Sequence, residues 1–127
     1  MAGSGEAELF LDLRGKAEEI EKLFPPPAYF TAHIDGAQVP DKAALMPALA
    51  AAFRFPAYFG HNWDALLDCL RSLPDEIPAK GYVLAVKHSA AFLCASPSDR
   101  ESFAEIAGEA RSFLAEKAGA DLKIALL

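Results

Sequence analysis

No stretch of this chain approaches the roughly 20 consecutive apolar residues of a membrane span, which argues against a transmembrane segment. Its start, Met1-Ala2-Gly3-Ser4-Gly5-Glu6-Ala7-Glu8, has neither the basic cluster nor the apolar run of a secretory signal. Only two cysteines occur, Cys69 and Cys94, and they lack the close spacing of metal sites. Buried free thiols and a reducing, cytoplasmic home are the expectation. Positive charge is scarce too: 12 Lys and Arg face 18 Asp and Glu, for a net charge of -6. A nucleic-acid backbone needs the opposite balance, so neither nucleic acid nor membrane is expected, and a basic protein is the better partner. A glycine-rich phosphate loop, a nucleophile elbow and a metal signature are all missing, and no cofactor, metal ligand or catalytic residue is assigned. His33, His61 and His88 have no paired ligand spacing and read as surface or hydrogen-bonded histidines.

What is present is globular: 127 residues, 53% hydrophobic and 24% charged, suffice for one domain with a core. Met1 to Gly5 is small and polar and suggests a flexible tail. Phe10, Leu13, Ala17, Ile20 and Phe24 then recur at three- and four-residue steps, the spacing of an amphipathic helix. Gly15 inside that run leaves a short strand over residues 9–13 as the alternative. Pro25-Pro26-Pro27 ends either element, so residues 1–27 form an N-terminal extension, helical after a flexible start, and residues 28–127 the main domain.

Residues 28–34 carry strand composition and Asp35-Gly36 a turn. Asp41 is placed to cap a helix over residues 42–53, with Pro47 predicting a kink or a later start near Leu45. Residues 74–81 are rich in breakers and read as loop, followed by the apolar run Tyr82-Val83-Leu84-Ala85-Val86, which suits a buried parallel strand. Residues 89–94 suggest a short helix. Phe103, Ile106, Ala107, Ala110, Phe113 and Leu114 mark a longer one, stopped at Gly119, before a last apolar strand from residue 122. Strands joined by helices imply an α/β fold: a small three-stranded parallel sheet with about four packed helices.

The stretch 55–70 stands out, a loop dense in aromatics that runs into a short helix. With Asn62 as cap, Trp63, Leu66, Leu67, Leu70 and Leu73 fall on one stripe, which places Trp63 with the core. Asp64 and Asp68, one turn apart, then share an exposed ridge beside Tyr58. Such acids are ordinarily just solvated; as a general acid and base they would make a small hydrolase, the weakest reading, because no accompanying motif supports it.

Tyr58-Phe59-Gly60-His61-Asn62-Trp63-Asp64-Ala65-Leu66-Leu67-Asp68-Cys69-Leu70 resembles the signature of the barstar family, intracellular inhibitors of barnase-type secreted ribonucleases. Weaker similarity covers residues 28–127, including the strand from Tyr29 to Ile34 and Gly119-Ala120-Asp121-Leu122-Lys123-Ile124. The resemblance implies an immunity protein that plugs a ribonuclease active site with this loop and helix, binding one basic ribonuclease one-to-one and staying monomeric when free. It places Tyr58, Gly60, Asn62, Asp64, Leu67, Asp68 and Arg71 at the partner, with Asp68 as the central acid. Three positions depart from the family: Leu67 and Leu73 stand where tryptophans occur, and Leu114 aligns with an acid. Arg71 adds a positive charge beside the aspartates, either pairing with Asp68 or favouring a ribonuclease with an acidic rim. The alternative is a barstar-like interaction module that no longer binds a ribonuclease and contacts another basic partner.

Overall fold

A computed structural model describes residues 9–127; the loose start expected at Met1 to Gly5 lies outside the described residues. Four strands, β1 (Phe10–Asp12), β2 (Tyr29–Asp35), β3 (Gly81–Lys87) and β4 (Asp121–Leu126), form one parallel sheet in the order β1-β4-β3-β2. Five α-helices are seen among the described residues: α1 (Glu19–Leu23), α2 (Lys42–Ala52), α3 (Trp63–Arg71), α4 (Leu73–Glu76) and α5 (Pro97–Ala118).

β3 takes the interior of the sheet because its residues through Val86 are apolar on both faces and buried. Side chains alternate across the pleat: Tyr82, Leu84 and Val86 enter the core shared with α2, α3 and α5, while Val83 and Ala85 enter a smaller one with Leu13, Ile20 and Phe24. Each Leu, Val or Phe so removed from water contributes about 1.5–3 kcal/mol. Gly81 is needed where β3 meets β2, since a Cβ there would lie 2.7 Å from the Tyr29 ring.

The sheet has four strands rather than the expected three. Residues 10–12 pair with β4, Phe10 opposite Ile124 and Leu11 opposite Ala125, so the short-strand reading of the N-terminal run is correct there and the long helix is not. Gly15 adopts a left-handed φ of 78° that breaks the helical period, and only residues 19–23 form a helix. The helix count rises above four for a similar reason. Residues 73–76, partly assigned to a loop for their proline, form α4, because Pro74 sits in the first turn, where a helix does not need its N–H.

α2 begins at Lys42, not near Leu45: the Asp41 carboxylate accepts the Ala44 N–H at 3.1 Å, and Pro47 is carried inside the helix. The Asp99 carboxylate also accepts the Lys42 N–H at 2.8 Å, tying the first turn of α5 to α2. The helix expected at 89–94 is a 3-10 turn, Ser89–Ala91, whose Ser89 hydroxyl donates to the Leu127 carbonyl at 3.0 Å. α5 ends at Gly119 as the sequence implies, with a left-handed φ of 62° that lets its N–H cap the Leu114 carbonyl.

Candidate functional site

A relay of rings holds the loop between α2 and α3. Phe53 stacks on Phe55 at 5.9 Å, Phe55 meets Phe59 edge-on at 5.1 Å, and Phe59 lies 4.9 Å from the His61 ring. Phe53 and Phe59 are buried, so they anchor the loop to the core. Between these anchors Tyr58 is turned outward and is 84% exposed. An aromatic side chain so exposed on a loop so firmly held is uncommon, because burial of its ring would normally be favourable.

The loop enters α3 through two residues with distinct tasks. His61 adopts the left-handed conformation, φ 53°, at the turn that leads into the cap. Asn62 then caps the helix: its side-chain oxygen accepts the Ala65 N–H at 2.8 Å and its amide nitrogen donates to the Gly60 carbonyl at 3.3 Å. A Cβ on Gly60 would lie 3.2 Å from that amide nitrogen, so glycine here leaves room for the cap rather than supplying an unusual φ.

α3 divides as its periodicity implies. Leu66 and Leu70 are buried, and Trp63 and Leu67 are half-buried against the same core, with Lys42 Nζ 5.7 Å from the Trp63 ring centroid. Asp64 and Asp68 are exposed on the opposite side. Among the described residues neither carboxylate makes a hydrogen bond or an ion pair. Two solvated anions one turn apart, unpaired among the described residues, are free to accept bonds from cations of a partner.

Arg71 does not pair with Asp68. Its guanidinium lies 5.1 Å over the Phe113 ring on α5, and its Nε is buried without a hydrogen-bond partner among the described residues. The stacking option on a neighbouring helix outweighs an exposed ion pair at three-residue spacing, whose worth is only about 0.2–0.5 kcal/mol. Leu114 is fully buried, so that position on α5 faces the core and presents nothing to solvent.

Tyr58 and Asp68 line one shallow recess of about 70 Å³, together with Arg54, Pro56, Cys69 and Glu76. Glu76 was missed at the sequence level, because it lies on α4, beyond the break at Ser72, where helical spacing from Asp68 no longer applies. Burial first, then the charges of Asp68 and Glu76, push the Cys69 thiol above its ordinary value and keep it a thiol. Cys69 is half-buried and Cys94 exposed, so the expectation of two buried thiols does not hold.

Among the described residues no helix is long and apolar enough to cross a membrane, and no three His, Cys, Asp or Glu side chains gather as a metal site. No curated protein matches the chain. The family model described as barstar (barnase inhibitor) matches residues 29–126, a span that contains the ring relay, the Asn62 cap and both aspartates.

Proposed function

Because the chain belongs to the barstar family, we propose that it inhibits a barnase-type secreted ribonuclease by placing the 58–62 loop and α3 in the enzyme's active site. The observation that carries this reading is the pair of exposed carboxylates, Asp64 and Asp68, which make no ion pair among the described residues and lie beside the outward ring of Tyr58. A ribonuclease of this kind holds an anionic phosphate with Arg, Lys and His. Carboxylates presented on a rigid helix occupy the same cations by charge-assisted hydrogen bonds.

Asp68 then reaches the phosphate-binding cations and Asp64 supports it one turn earlier. Tyr58 covers a catalytic histidine, Gly60 lets the loop backbone approach closely, and Asn62 holds loop and helix in register. Leu67 gives an apolar contact at the edge, and Arg71 meets an acidic group on the partner's rim. The ring relay lowers the ordering cost of binding, since the loop is fixed beforehand. A net charge of -6 steers a basic enzyme toward the complex, an effect that salt screens. Barnase with barstar is the reference pair for such steering, so that expectation is carried over from the family. The complex is one-to-one and cytoplasmic, and protects the cell that makes the ribonuclease.

An RNA-cleavage assay titrated with this protein tests the reading. Cleavage by a barnase-type ribonuclease falls to zero at one equivalent; undiminished cleavage by every such enzyme tried rejects it.

A further inference from the structure

The two edges of the sheet are finished differently. β1 is three residues long and ends in Asp12, paired to Arg14 at 2.8 Å, and brevity with charge is how natural sheets blunt an edge. β2, at the other edge, has seven residues, Tyr-Phe-Thr-Ala-His-Ile-Asp, with no lysine or proline and no acid before Asp35.

Register decides which backbone groups of β2 are left over. The Lys80 N–H donates to the Ala28 carbonyl, so residues 28, 30, 32 and 34 aim their N–H and C=O groups at β3 and alternate residues aim outward. The outward N–H of Tyr29 donates to the Pro25 carbonyl at 3.2 Å. The N–H and C=O groups of Thr31 and His33 have no partner among the described residues. Side chains alternate across the two faces of the sheet, with Ala32 and Ile34 buried, Thr31 half-buried and His33 exposed.

We infer that a second copy of this chain pairs with β2 edge to edge, antiparallel, about a two-fold axis at Ala32. That register sets Thr31 opposite His33 of the second copy, and by symmetry His33 opposite its Thr31. Each such pair exchanges two hydrogen bonds, which satisfies all the outward groups of both residues in both copies. The side chains match as well: Ala32 meets Ala32, and Phe30 meets Ile34, on the face toward the main core.

α2 supplies an independent observation. After Lys42 it contains only Ala, Leu, Met and Pro, and its exposed positions Ala43, Pro47 and Ala51 follow one another at one-turn intervals. A surface helix ordinarily carries polar residues there. An open groove of about 610 Å³ runs between this face and β2, lined by His33, Ile34, Ala48 and Ala51. The two-fold axis sets the two α2 helices side by side over the joined sheet and covers both grooves. Each copy carries -6, so the dimer is weakest at low salt and tightens as salt screens the repulsion, the opposite of a steered complex with a basic enzyme. The pairing replaces the expectation of a monomeric free state and does not depend on ribonuclease binding.

Sedimentation equilibrium and amide exchange of the full chain test it, with protein raised to roughly 0.5 mM so that even a dissociation constant near 1 mM registers. The mass climbs from 13.6 kDa toward twice that value. The Thr31 and His33 amides gain protection over the same range in step with the rise in mass, while Ala32 and Ile34 are protected throughout. Ala51→Glu, on the exposed face, and Thr31→Pro, which removes an outward donor, each hold the mass at 13.6 kDa with an unchanged circular dichroism spectrum. A wild type that stays monomeric, a dimer that survives both substitutions, or Thr31 and His33 amides whose protection ignores concentration overturns the inference.

Discussion

Tyr58 and Asp68 line the same recess, although one lies on a loop and the other two turns into the helix that follows it. The ring relay through Phe53, Phe55 and Phe59 fixes the loop, and the Asn62 cap fixes the helix to the loop. Their relative position is therefore set by the core rather than by each other.

Tyr58→Ala separates binding from stability. The ring is 84% exposed, so urea unfolding changes by less than about 0.5 kcal/mol. Affinity for the ribonuclease drops by about 1–2 kcal/mol, the range of a contributing aromatic contact, as measured by calorimetry.

Asn62→Ala removes the acceptor for the Ala65 N–H and the donor to the Gly60 carbonyl. Loss of a cap costs about 1 kcal/mol, which lowers the melting temperature by roughly 4 °C for a domain of this size. Inhibition weakens with it, because Asp64 and the loop lose their common anchor.

His61 holds a left-handed φ of 53° that a β-branched residue resists. His61→Val destabilises by about 1–2 kcal/mol, while His61→Asn, which tolerates that conformation, loses less. Denaturant midpoints compared at constant m distinguish the two.

Acid weakens the far end of the sheet. The Asp35 carboxyl is held below its ordinary value, first by the hydrogen bond with His88 and then by the Ala37 N–H. A folded-state value that is depressed contributes stability above the unfolded value of 3.8, and that contribution is lost as pH falls through the folded one. Melting curves taken from about pH 5 down to about pH 2 show a shallower decline for Asp35→Ala than for wild type, with a small difference because the pair is solvent-screened.

Much of this architecture is legible in the sequence where one physical signal dominates. The apolar run at 82–86 suits a buried strand and is one, Asp41 and Asn62 had capping chemistry and cap their helices, and Gly119 stood at a natural helix stop. The errors fall where two signals compete. Phe10, Leu13 and Ile20 match a helical period, yet Phe10 and Leu11 gain more by pairing with β4 than by forming a helix across Gly15. Pro74 reads as a breaker and serves as a first-turn residue. The aspartate ridge followed from spacing, whereas the course of Arg71 did not, because its partner Phe113 lies on a helix far along the chain.

The account rests on Asp68, and calorimetric titration of a barnase-type ribonuclease with wild type and Asp68→Ala tests it most directly. The account predicts one-to-one binding that weakens by at least about 30-fold in the variant, roughly 2 kcal/mol, the threshold of an interfacial hot spot. Barnase with barstar is itself a reference case for that range, so the figure is carried over from the family. The melting temperature stays unchanged, since the carboxylate makes no bond within the described residues. Equal affinity of the two proteins, or no binding by wild type, contradicts it.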